Sequence, residues 1–537
     1  MNSPLNEFVK GMSFSALNGL TVSIINMPLR EGARPNTPPQ GPGLLAARLR
    51  QYGAKVNLID LNGYRIDDEE AKKAGLSYGR HLSEKEATGL ISRYFNRDGE
   101  PNIIAISGMI TTLRWQQTII SICRKLVPDT FMLSGGGLAT EMGKILFNWI
   151  PELDAIACGE GDNIILAIAK QVKDGLKQKE QRIYQGERPP CLDKLPFPAW
   201  DLLEHDVDGY PLLEDYIHTP VWGGSANNSS ATSFTMERSL TTVSSRGCPY
   251  DCAFCYRGAQ GKRDYGRRNS DNIIKEAIWL RDCYQIDFLG FPDDNFAVDR
   301  KRLTNLADRF PTEVGLRWGT HTRLDEADER LDLMAKAGCI YIGFGAESAS
   351  AKVLTRMNKG GFMLKRGLVD INGYSFPRTM TEGIKHCLEV GIHSNCTWIM
   401  GYPGETLDDL KVSAAFICWQ IEEATNGLTS GSPEYNRAIT SINQKMFVAT
   451  AYPGTAMFQE PKVRHLLSRH FGLVFDRLGE LVYDENLKRY VEELDDASKV
   501  LSANDGEPIN YGEMTVKQFL TARGYINRGQ IEKILEM

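Results

Sequence analysis

Short apolar segments alternate with amphipathic stretches along the first 180 residues of the chain. β-branched and apolar residues gather in five runs bounded by glycine or polar residues, which predicts five strands. These strands are 21–27, 55–61, 102–107, 130–134 and 155–158. Helical patterns lie between them, for example at 44–51 and from Asp162 onward. The alternation predicts an α/β fold with a doubly wound parallel sheet, in which ligands bind beyond the carboxyl ends of the strands.

The composition changes between residues 181 and 238, where prolines and then a Gly/Ser/Asn-rich run at 222–233 interrupt the pattern. We expect a linker and a flexible loop there, either a plain surface loop or a lid that faces the substrate. Strand–helix alternation then resumes, with strands predicted at 240–244, 287–291, 315–320, 340–344, 395–400 and 445–450. Six such strands favour a partial parallel barrel. The predicted domains are 1–180, the linker 181–238, the barrel 239–460 and a helical C-terminal extension 461–537.

Charge and hydropathy exclude several classes of protein. The 537 residues carry a net charge of −6, and no basic module with interleaved aromatic residues stands out, so nucleic acid is not an expected partner. The longest apolar runs are far shorter than the roughly 20 residues that span a bilayer. Residues 1–10 lack the apolar core of a signal peptide. We therefore expect a cytoplasmic protein without a membrane span.

Three of the eleven cysteines form a C-x3-C-x2-C motif, SRGCPYDCAFCY, at Cys248, Cys252 and Cys255. A structural zinc site is the main alternative, but zinc takes four ligands. The next cysteine and histidine along the chain are Cys283 and His321, both distant in sequence. Three thiolates on one tight loop suit a [4Fe–4S] cluster whose fourth iron has no protein ligand and can chelate a substrate.

This spacing, with an aromatic residue before the last cysteine, resembles the radical S-adenosylmethionine (SAM) superfamily. The resemblance implies that the open iron binds the amino and carboxylate groups of SAM, and that reduction cleaves SAM to methionine and a 5′-deoxyadenosyl radical. Later segments resemble the family's motifs in order: FPDDNF at 291–296, GFGAES at 343–348, WIMGYPGET at 398–406 and AYPGT at 451–455. The residues assigned to SAM are Phe254, Asp293, Asp294, Asn295, Arg323, Glu347, Gly401 and Tyr402.

Simpler roles are open for the acidic and amide residues of these motifs. Asp293, Asp294 and Asn295 could cap the following helix, and Asn295 is the candidate N-cap. Glu347 could be an exposed acid in a first helical turn, favoured there by the helix dipole. Their order along the chain, each after an apolar segment, favours the SAM-binding roles.

The alternation of side chains along the third barrel strand singles out three further residues. If 315–323 is a strand, Gly319, His321 and Arg323 share one face, which in a barrel is the inward face. A structural role is favoured for His321. For Arg323 two roles are equally open, a contact with SAM or substrate and a salt bridge. Core packing is favoured for Trp398 over a position lining the cavity.

A doubly wound domain before such a barrel resembles the cobalamin-binding radical SAM subfamily over residues 20–460. The matching loops are rich in glycine, which permits close approach of the backbone to a large planar ligand, and they carry hydroxyls. The residues assigned to cobalamin are Pro39, Gly41, Ser107, Thr111, Thr112, Gly135, Gly136, Gly137, Glu160 and Gly161. Plain turns or a nucleotide site are the alternatives. The resemblance implies a flavodoxin-like cobalamin domain, a partial (β/α)6 radical SAM barrel and a helical C-terminal extension.

One marker of many B12 proteins is missing. The motif D-x-H-x-x-G supplies a histidine to the lower face of cobalt, but this chain has no histidine before His81. We therefore predict that cobalt lacks histidine on its lower face, as in many members of the subfamily.

The resemblance implies a methyltransferase that acts on an unactivated carbon of a small molecule. One SAM would supply the methyl group through methylcobalamin, and a second SAM at the cluster would yield the radical that abstracts a substrate hydrogen. An electron donor such as a ferredoxin or flavodoxin is implied, and no general acid or base is assigned. The alternatives are a non-methylating oxidative cyclase or rearrangement enzyme, an RNA- or protein-modifying enzyme, and a non-catalytic metal sensor. Segments 207–236, 357–380 and the tail after 460 are expected to shape the substrate site.

Overall fold

The computed structural model describes residues 4–29, 31, 34–176, 181–219, 236–256, 264–502 and 508–537. The predicted Gly/Ser/Asn-rich loop at 222–233 lies outside these residues. The described chain forms two compact units, the N-terminal unit within Met1–His218 and Val482–Lys499, and the barrel unit within Thr219–Tyr256, Arg263–Leu481 and Val500–Met537. The predicted domain limits at 180, 238 and 460 stay predictions.

The N-terminal unit contains a sheet of six parallel strands in the order β2-β1-β3-β4-β5-β6. The strands are β1 Thr21–Asn26, β2 Lys55–Asp60, β3 Ile103–Ser107, β4 Phe131–Gly135, β5 Ala155–Gly159 and β6 Arg182–Gly186. The helices are α1 Pro4–Lys10, α2 Gln40–Gln51, α3 Glu69–Lys73, α4 Glu84–Asp98, α5 Leu113–Leu126, α6 Gly137–Met142, α7 Leu146–Trp149, α8 Gly161–Lys173, α9 Asp201–Glu204, α10 Leu212–Ile217 and α20 Glu485–Glu493.

This strand order confirms the predicted doubly wound, flavodoxin-like sheet. Strands β1, β3, β4 and β5 are almost fully buried, as expected when helices cover both faces of a parallel sheet. The order reverses between β1 and β3, so the topological switch point, where such sheets bind ligands, lies at the carboxyl ends of these two strands. The edge strand β6 was not predicted, because its residues are mostly exposed and form no apolar run.

The barrel unit contains a curled sheet of six parallel strands in the order β16-β15-β12-β11-β10-β7. These are β7 Ser239–Thr241, β10 Phe288–Phe291, β11 Arg317–Arg323, β12 Cys339–Glu347, β15 His393–Met400 and β16 Phe447–Val448. Two antiparallel pairs join β8 Ser245–Arg246 to β9 Gly266–Arg267 and β13 Leu368–Ile371 to β14 Tyr374–Pro377. The helices are α11 Ser270–Tyr284, α12 Arg300–Glu313, α13 Arg330–Lys336, α14 Ala351–Arg356, α15 Gly360–Met363, α16 Arg378–Val390, α17 Leu407–Thr425, α18 Pro433–Ser441, α19 Pro461–Phe471 and α21 Val516–Asn527. The predicted partial barrel is confirmed.

Aromatic side chains fill the layer between the barrel strands and their helices. Trp318 on β11 packs against Phe291 and Phe296, with ring centroids 5.4 Å and 5.1 Å away. Trp398 on β15 is fully buried and packs against Phe416 of α17 at 5.6 Å. The core role favoured for Trp398 is therefore the observed one.

The opposite face of β11 and β12 carries the polar and small residues. A Cβ atom on Gly343 would lie 2.4 Å from Cδ2 of His321, so glycine is required where β12 passes this ring. His321 and Arg323 thus share the inward face that the period of two predicts.

The segment after residue 460 is largely helical, as predicted, with α19, α20 and α21. α20 belongs to the N-terminal unit, where Arg114 of α5 donates to Glu493 at 2.7 Å. None of the described helices is long and apolar enough to span a membrane.

Candidate cofactor sites

The cysteine loop, residues 248–255, is tied by hydrogen bonds to the segment that follows β12. Ala253 N donates to Met357 O at 2.9 Å, and Asn358 Nδ2 donates to Asp251 O at 2.7 Å. The loop therefore has a defined place in the barrel unit before any ligand is considered.

The thiols of this loop are accessible to a ligand. Cys248 and Cys252 are half-buried and Cys255 is exposed, with its Sγ 3.6 Å from Tyr256 O. Among the described residues no group of three or more His, Cys, Asp or Glu side chains is arranged to hold a single metal ion. Three thiols on one loop fit a [4Fe–4S] cluster with an open iron better than zinc, which takes four ligands.

Arg323 at the end of β11 contacts the middle cysteine. Its Nη1 donates to Cys252 Sγ at 3.2 Å, and its Nε and Nη2 donate to Asp325 at 2.8 Å and 2.9 Å. The guanidinium also lies 4.0 Å from the centroid of the Tyr250 ring. The salt bridge left open for Arg323 is present, and the same side chain reaches the cysteine loop.

Asp293 organises the chain that leads into the cysteine loop. Its carboxylate accepts from Ser244 N at 2.8 Å and from the hydroxyls of Ser244 and Ser245 at 2.5 Å each. Because Asp293 is almost fully buried, these bonds hold β8 against the loop after β10. The structure gives Asp293 a positioning role, and its contact with SAM stays a prediction.

The next two residues of the FPDDNF motif have different hydrogen-bond partners. Asp294 is exposed and accepts from Gly247 N at 3.2 Å, beside the cysteine loop. Asn295 is fully buried, and its Oδ1 accepts from Thr322 Oγ1 at 2.6 Å. Asn295 does not cap α12, because Asp299 occupies that position and its side chain accepts from the backbone.

Glu347 ends β12 in a strained conformation. Its φ of +65° is rare for a residue other than glycine, and the pairing with β15 is irregular between Gly345 and Glu347. The carboxylate is nearly buried and accepts from Lys359 Nζ at 3.2 Å and Thr397 Oγ1 at 3.3 Å. Glu347 is therefore not an exposed first-turn acid. Strain of this kind costs about 1–3 kcal/mol and gathers at functional sites.

Lys359 is a site residue that the sequence analysis missed. Only 3% of its side chain is exposed, and its Nζ lies 5.8 Å from the centroid of the Phe254 ring. It thus links the cysteine loop to Glu347 at the end of β12. A Cβ on Gly345 would lie 2.6 Å from Glu347 Oε1 and 2.9 Å from this ammonium, so a larger residue here would displace the ion pair. No sequence signal distinguishes Lys359 from an ordinary exposed lysine.

His321 faces the interior of the curled sheet as a neutral ring. Protein surrounds the imidazole, and this desolvation lowers the pKa of His321 to about 4. The residue as a whole is half-buried. At neutral pH it offers hydrogen bonding without charge.

The turn after β15 carries the predicted residues Gly401 and Tyr402. Gly401 has a φ of +74°, and its N donates at 2.5 Å to Oε2 of Glu405, four residues on. A Cβ on Gly401 would lie 2.9 Å from the Phe519 ring of α21. Tyr402 is fully buried, so the structure shows it packed within the turn.

Replacement of Glu405 with glutamine is expected to change the pH dependence of stability. Burial raises the pKa of Glu405 to about 8, above the ordinary value of 4.5. The folded chain keeps this proton while the unfolded chain releases it, so the contribution of Glu405 to stability is full below pH 4.5 and is lost as pH rises to 8. The free energy of unfolding of Glu405→Gln minus that of wild type should therefore rise by up to about 1.4 kcal/mol per pH unit in this window. Denaturant titrations at several pH values measure it, and a pH-independent difference would contradict it.

In the N-terminal unit, the loops after β3 and β4 are joined at the carboxyl edge of the sheet. Gly108 N donates to Gly135 O at 3.4 Å, and Leu138 N donates to Gly108 O at 3.3 Å. Gly136 is exposed with φ +87° and ψ −162°, a conformation reserved for glycine, and Gly137 begins α6. Glycines therefore form the backbone at the carboxyl edge of the sheet, next to the switch point. They allow a large planar ligand to approach closely.

The predicted hydroxyls at this edge differ in their availability. Thr112 is fully buried, where its Oγ1 donates to Met109 O at 2.8 Å and accepts from Gln116 Nε2 at 3.0 Å. Thr112 therefore stabilises the loop from its buried side. Ser107 and Thr111 are half-buried and stay candidates for a ligand contact. The sequence analysis missed Met109, an apolar side chain that is 53% exposed in this loop.

The remaining predicted cobalamin residues lie at helix starts along the same edge. Pro39 is buried in front of α2, and Gly41 is exposed, with no atom within 4 Å of a Cβ placed on it. Glu160 precedes α8 and is paired with Arg188 at 3.0 Å, and Gly161 is the first residue of α8. Their contacts with cobalamin stay predictions.

Gly136→Ala is expected to disturb the joined loops. The new Cβ would lie 2.7 Å from Gly108 O, and alanine is strained at this φ, so we expect a loss of about 2 kcal/mol in the free energy of unfolding together with loss of bound cobalamin. Gly143→Ala is the matched control, since Gly143 also has a positive φ but a Cβ there meets nothing within 4 Å. The Gly143→Ala variant should also lose free energy of unfolding because of its positive φ, but it should keep cobalamin. Equal cobalamin retention in both variants would contradict the prediction.

Comparison with known proteins identifies the domain that carries the cysteine loop. The model of the radical SAM superfamily matches residues 242–417. The chain therefore contains a radical SAM domain.

Relatives with similar sequences extend beyond this domain. An uncharacterized methyltransferase of Pyrococcus horikoshii is 24% identical over 385 residues, which cover 68% of this chain and 71% of the relative. The cytidylyl-2-hydroxyethylphosphonate methyltransferase of Streptomyces wedmorensis is 26% identical over 425 residues, covering 70% and 72%. The anaerobic magnesium-protoporphyrin IX monomethyl ester cyclase of Rubrivivax gelatinosus is 24% identical over 323 residues, covering 58% and 53%.

Two solved structures with cobalamin bound match most of this chain. The radical SAM methyltransferase TsrM of Kitasatospora setae, solved with cobalamin and a [4Fe–4S] cluster, matches 96% of this chain and 98% of its own with a TM-score of 0.57 and 14% identity. OxsB, a cobalamin-dependent radical SAM enzyme solved with aqua-cobalamin and SAM, matches 90% and 66% with a TM-score of 0.59 and 16% identity. The chain thus has the fold of cobalamin-dependent radical SAM enzymes.

Proposed function

We propose that this protein is a cobalamin-dependent radical SAM methyltransferase that methylates an unactivated carbon of a small molecule. The observation that carries the proposal is the presence, in one chain, of the three-cysteine loop in a radical SAM barrel and a doubly wound sheet with an open glycine edge at its switch point. Relatives and structural neighbours named as methyltransferases support this reaction over others.

The barrel residues supply the cluster and SAM sites in this proposal. Cys248, Cys252 and Cys255 hold the [4Fe–4S] cluster and leave one iron open to SAM. Glu347, held by Lys359 and Thr397, offers a fixed carboxylate to the hydroxyl or amino groups of SAM. When bound, the cluster and SAM supply a 5′-deoxyadenosyl radical and cobalamin supplies the methyl group.

The N-terminal residues hold cobalamin through backbone and small side chains. The glycines after β4 allow the ligand to approach the sheet edge, and Ser107 and Thr111 hydrogen-bond to its periphery. No histidine is assigned to the lower face of cobalt. We also propose that a one-electron carrier such as a ferredoxin or flavodoxin reduces the cluster and that the enzyme works in the cytoplasm.

A non-methylating reaction is the second candidate, and the relative named as a protoporphyrin ester cyclase favours it. Cyclisation and methylation share the radical step, so the residues described above serve both. The difference lies in whether a methyl group leaves SAM.

The test is product analysis after anaerobic reconstitution with iron, sulfide and hydroxocobalamin, followed by dithionite and SAM. The proposal predicts both 5′-deoxyadenosine and S-adenosylhomocysteine by mass spectrometry. Deoxyadenosine without S-adenosylhomocysteine, with cobalamin bound and candidate substrates present, favours the cyclase or rearrangement and overturns the methyltransferase.

A further inference from the structure

Arg323 places a permanent positive charge against one proposed cluster ligand. Its Nη1 donates to Cys252 Sγ at 3.2 Å, and only 7% of the side chain is exposed. A guanidinium stays protonated at all ordinary pH values, so this charge does not depend on the conditions of the experiment. Screening by water is weak because the contact is largely desolvated.

Two neighbours keep the guanidinium in this place. Asp325, whose side chain is 1% exposed, accepts from Nε and Nη2, and the Tyr250 ring covers the planar face of the guanidinium at 4.0 Å. Tyr250 is itself fixed because its hydroxyl donates to Glu326 at 2.9 Å. The contact between Arg323 and Cys252 is therefore built into the fold.

We infer that Arg323 sets the reduction potential of the cluster, with Asp325 acting in the opposite direction. The inference rests on the proposed function, because it needs a cluster on the cysteine loop. One electron from the external carrier adds one negative charge to the cluster, with no bond formed or broken. Hydrogen bonds to ligand sulfur and nearby charge tune such potentials, so the Arg323 cation favours the reduced state and the Asp325 anion opposes it.

This makes Arg323 a positioning and tuning residue outside the set of cluster ligands. If Arg323 were merely structural, replacing Arg323 or Asp325 would loosen the cysteine loop. The reduction potential of a cluster that still assembled would then stay at the wild-type value. Opposite shifts for the two partners are the signature of an electrostatic role.

The test is a redox titration of the full-length reconstituted protein without SAM, followed by electron paramagnetic resonance of the reduced cluster. At a fixed potential, Arg323→Gln is expected to lower the ratio of reduced to oxidised cluster about tenfold, a shift of about 59 mV for one electron. Asp325→Asn is expected to raise this ratio, and Arg323→Lys should recover most of the wild-type value. Arg437→Gln is the control and should keep the wild-type potential, since it removes an exposed arginine that pairs with Glu434 of its own helix.

The outcomes separate this inference from the proposed function. Iron and sulfide are measured first, and a wild-type protein that binds no cluster overturns the proposed function and the inference with it. With the wild-type cluster intact, equal potentials in Arg323→Gln and wild type, or shifts of the same sign in Arg323→Gln and Asp325→Asn, overturn the inference alone. If Arg323→Gln takes up no cluster, Asp325→Asn decides it: a higher ratio of reduced to oxidised cluster than in wild type supports the inference, and an equal or lower ratio overturns it.

Discussion

Cys252→Ala is expected to abolish cluster assembly and reductive SAM cleavage. Cys252 is the central thiol of the cysteine loop, and two cysteines cannot hold a [4Fe–4S] cluster that still leaves an iron open to SAM. We expect the iron and sulfide content of the reconstituted variant to fall to background and 5′-deoxyadenosine to become undetectable. Chemical analysis of iron and sulfide and mass spectrometry of the products measure the two effects.

Cys283→Ala is the matched control for this experiment. Cys283 is an exposed cysteine on α11, outside the cysteine loop. This variant should keep the wild-type cluster and SAM cleavage. A Cys252→Ala protein that still cleaves SAM would refute the assignment of the cysteine loop, and one that only binds metal less tightly would favour a metal sensor.

Lys359→Met is expected to cost the barrel unit about 3 kcal/mol in the free energy of unfolding. The change removes the ammonium that pairs with Glu347 and leaves a nearly buried carboxylate without its counter-charge. We also expect SAM affinity to fall, because Lys359 fixes the orientation of Glu347. Denaturant titration and equilibrium binding of SAM to the reconstituted protein measure the two effects.

A double variant separates the cost of the unpaired Glu347 carboxylate from the cost of altered packing around residue 359. Lys359→Met combined with Glu347→Gln removes both charges and should recover most of the lost stability without recovering SAM binding. Lys352→Met is the control for loss of an exposed lysine, because its pair with Asp409 is largely solvent-exposed on the lysine side and should contribute less than about 1 kcal/mol. A Lys359→Met protein as stable as Lys352→Met would contradict the prediction.

The sequence predicts the fold well where the strands are buried. The central strands of the N-terminal sheet carry β-branched and apolar runs because helices cover both faces of this parallel sheet. The edge strand β6 has no such run, and β16 has only two residues, against six predicted at 445–450. An edge strand is specified by the neighbour that it pairs with, and this information is not local in the sequence.

Side-chain roles are predictable only as far as they depend on local sequence. The motif around Asp293 indicates its neighbourhood, but its bonds to Ser244 and Ser245 join segments almost 50 residues apart. Thr112 looks like a ligand hydroxyl in the sequence and proves to be buried beneath its own loop. The N-cap of α12 is Asp299, four residues beyond the candidate Asn295, because a short turn intervenes.

Lys359 illustrates what local pattern cannot reveal. It follows a short helix in a stretch where a lysine is expected to be exposed, yet tertiary packing brings it to Glu347 and Phe254. The glycine at position 345 that makes room for it is part of a recognisable motif, whereas the lysine itself carries no pattern. Burial of a charged residue is a property of the assembled fold and of its partner.

The cofactor content of the anaerobically reconstituted 537-residue protein, measured after removal of free cofactors, tests the roles proposed for both units. Iron, sulfide and cobalamin are measured on the same sample, the last by its visible spectrum. We expect one [4Fe–4S] cluster and one cobalamin bound per chain. A protein that retains the cluster and no cobalamin would contradict the role assigned to the N-terminal unit.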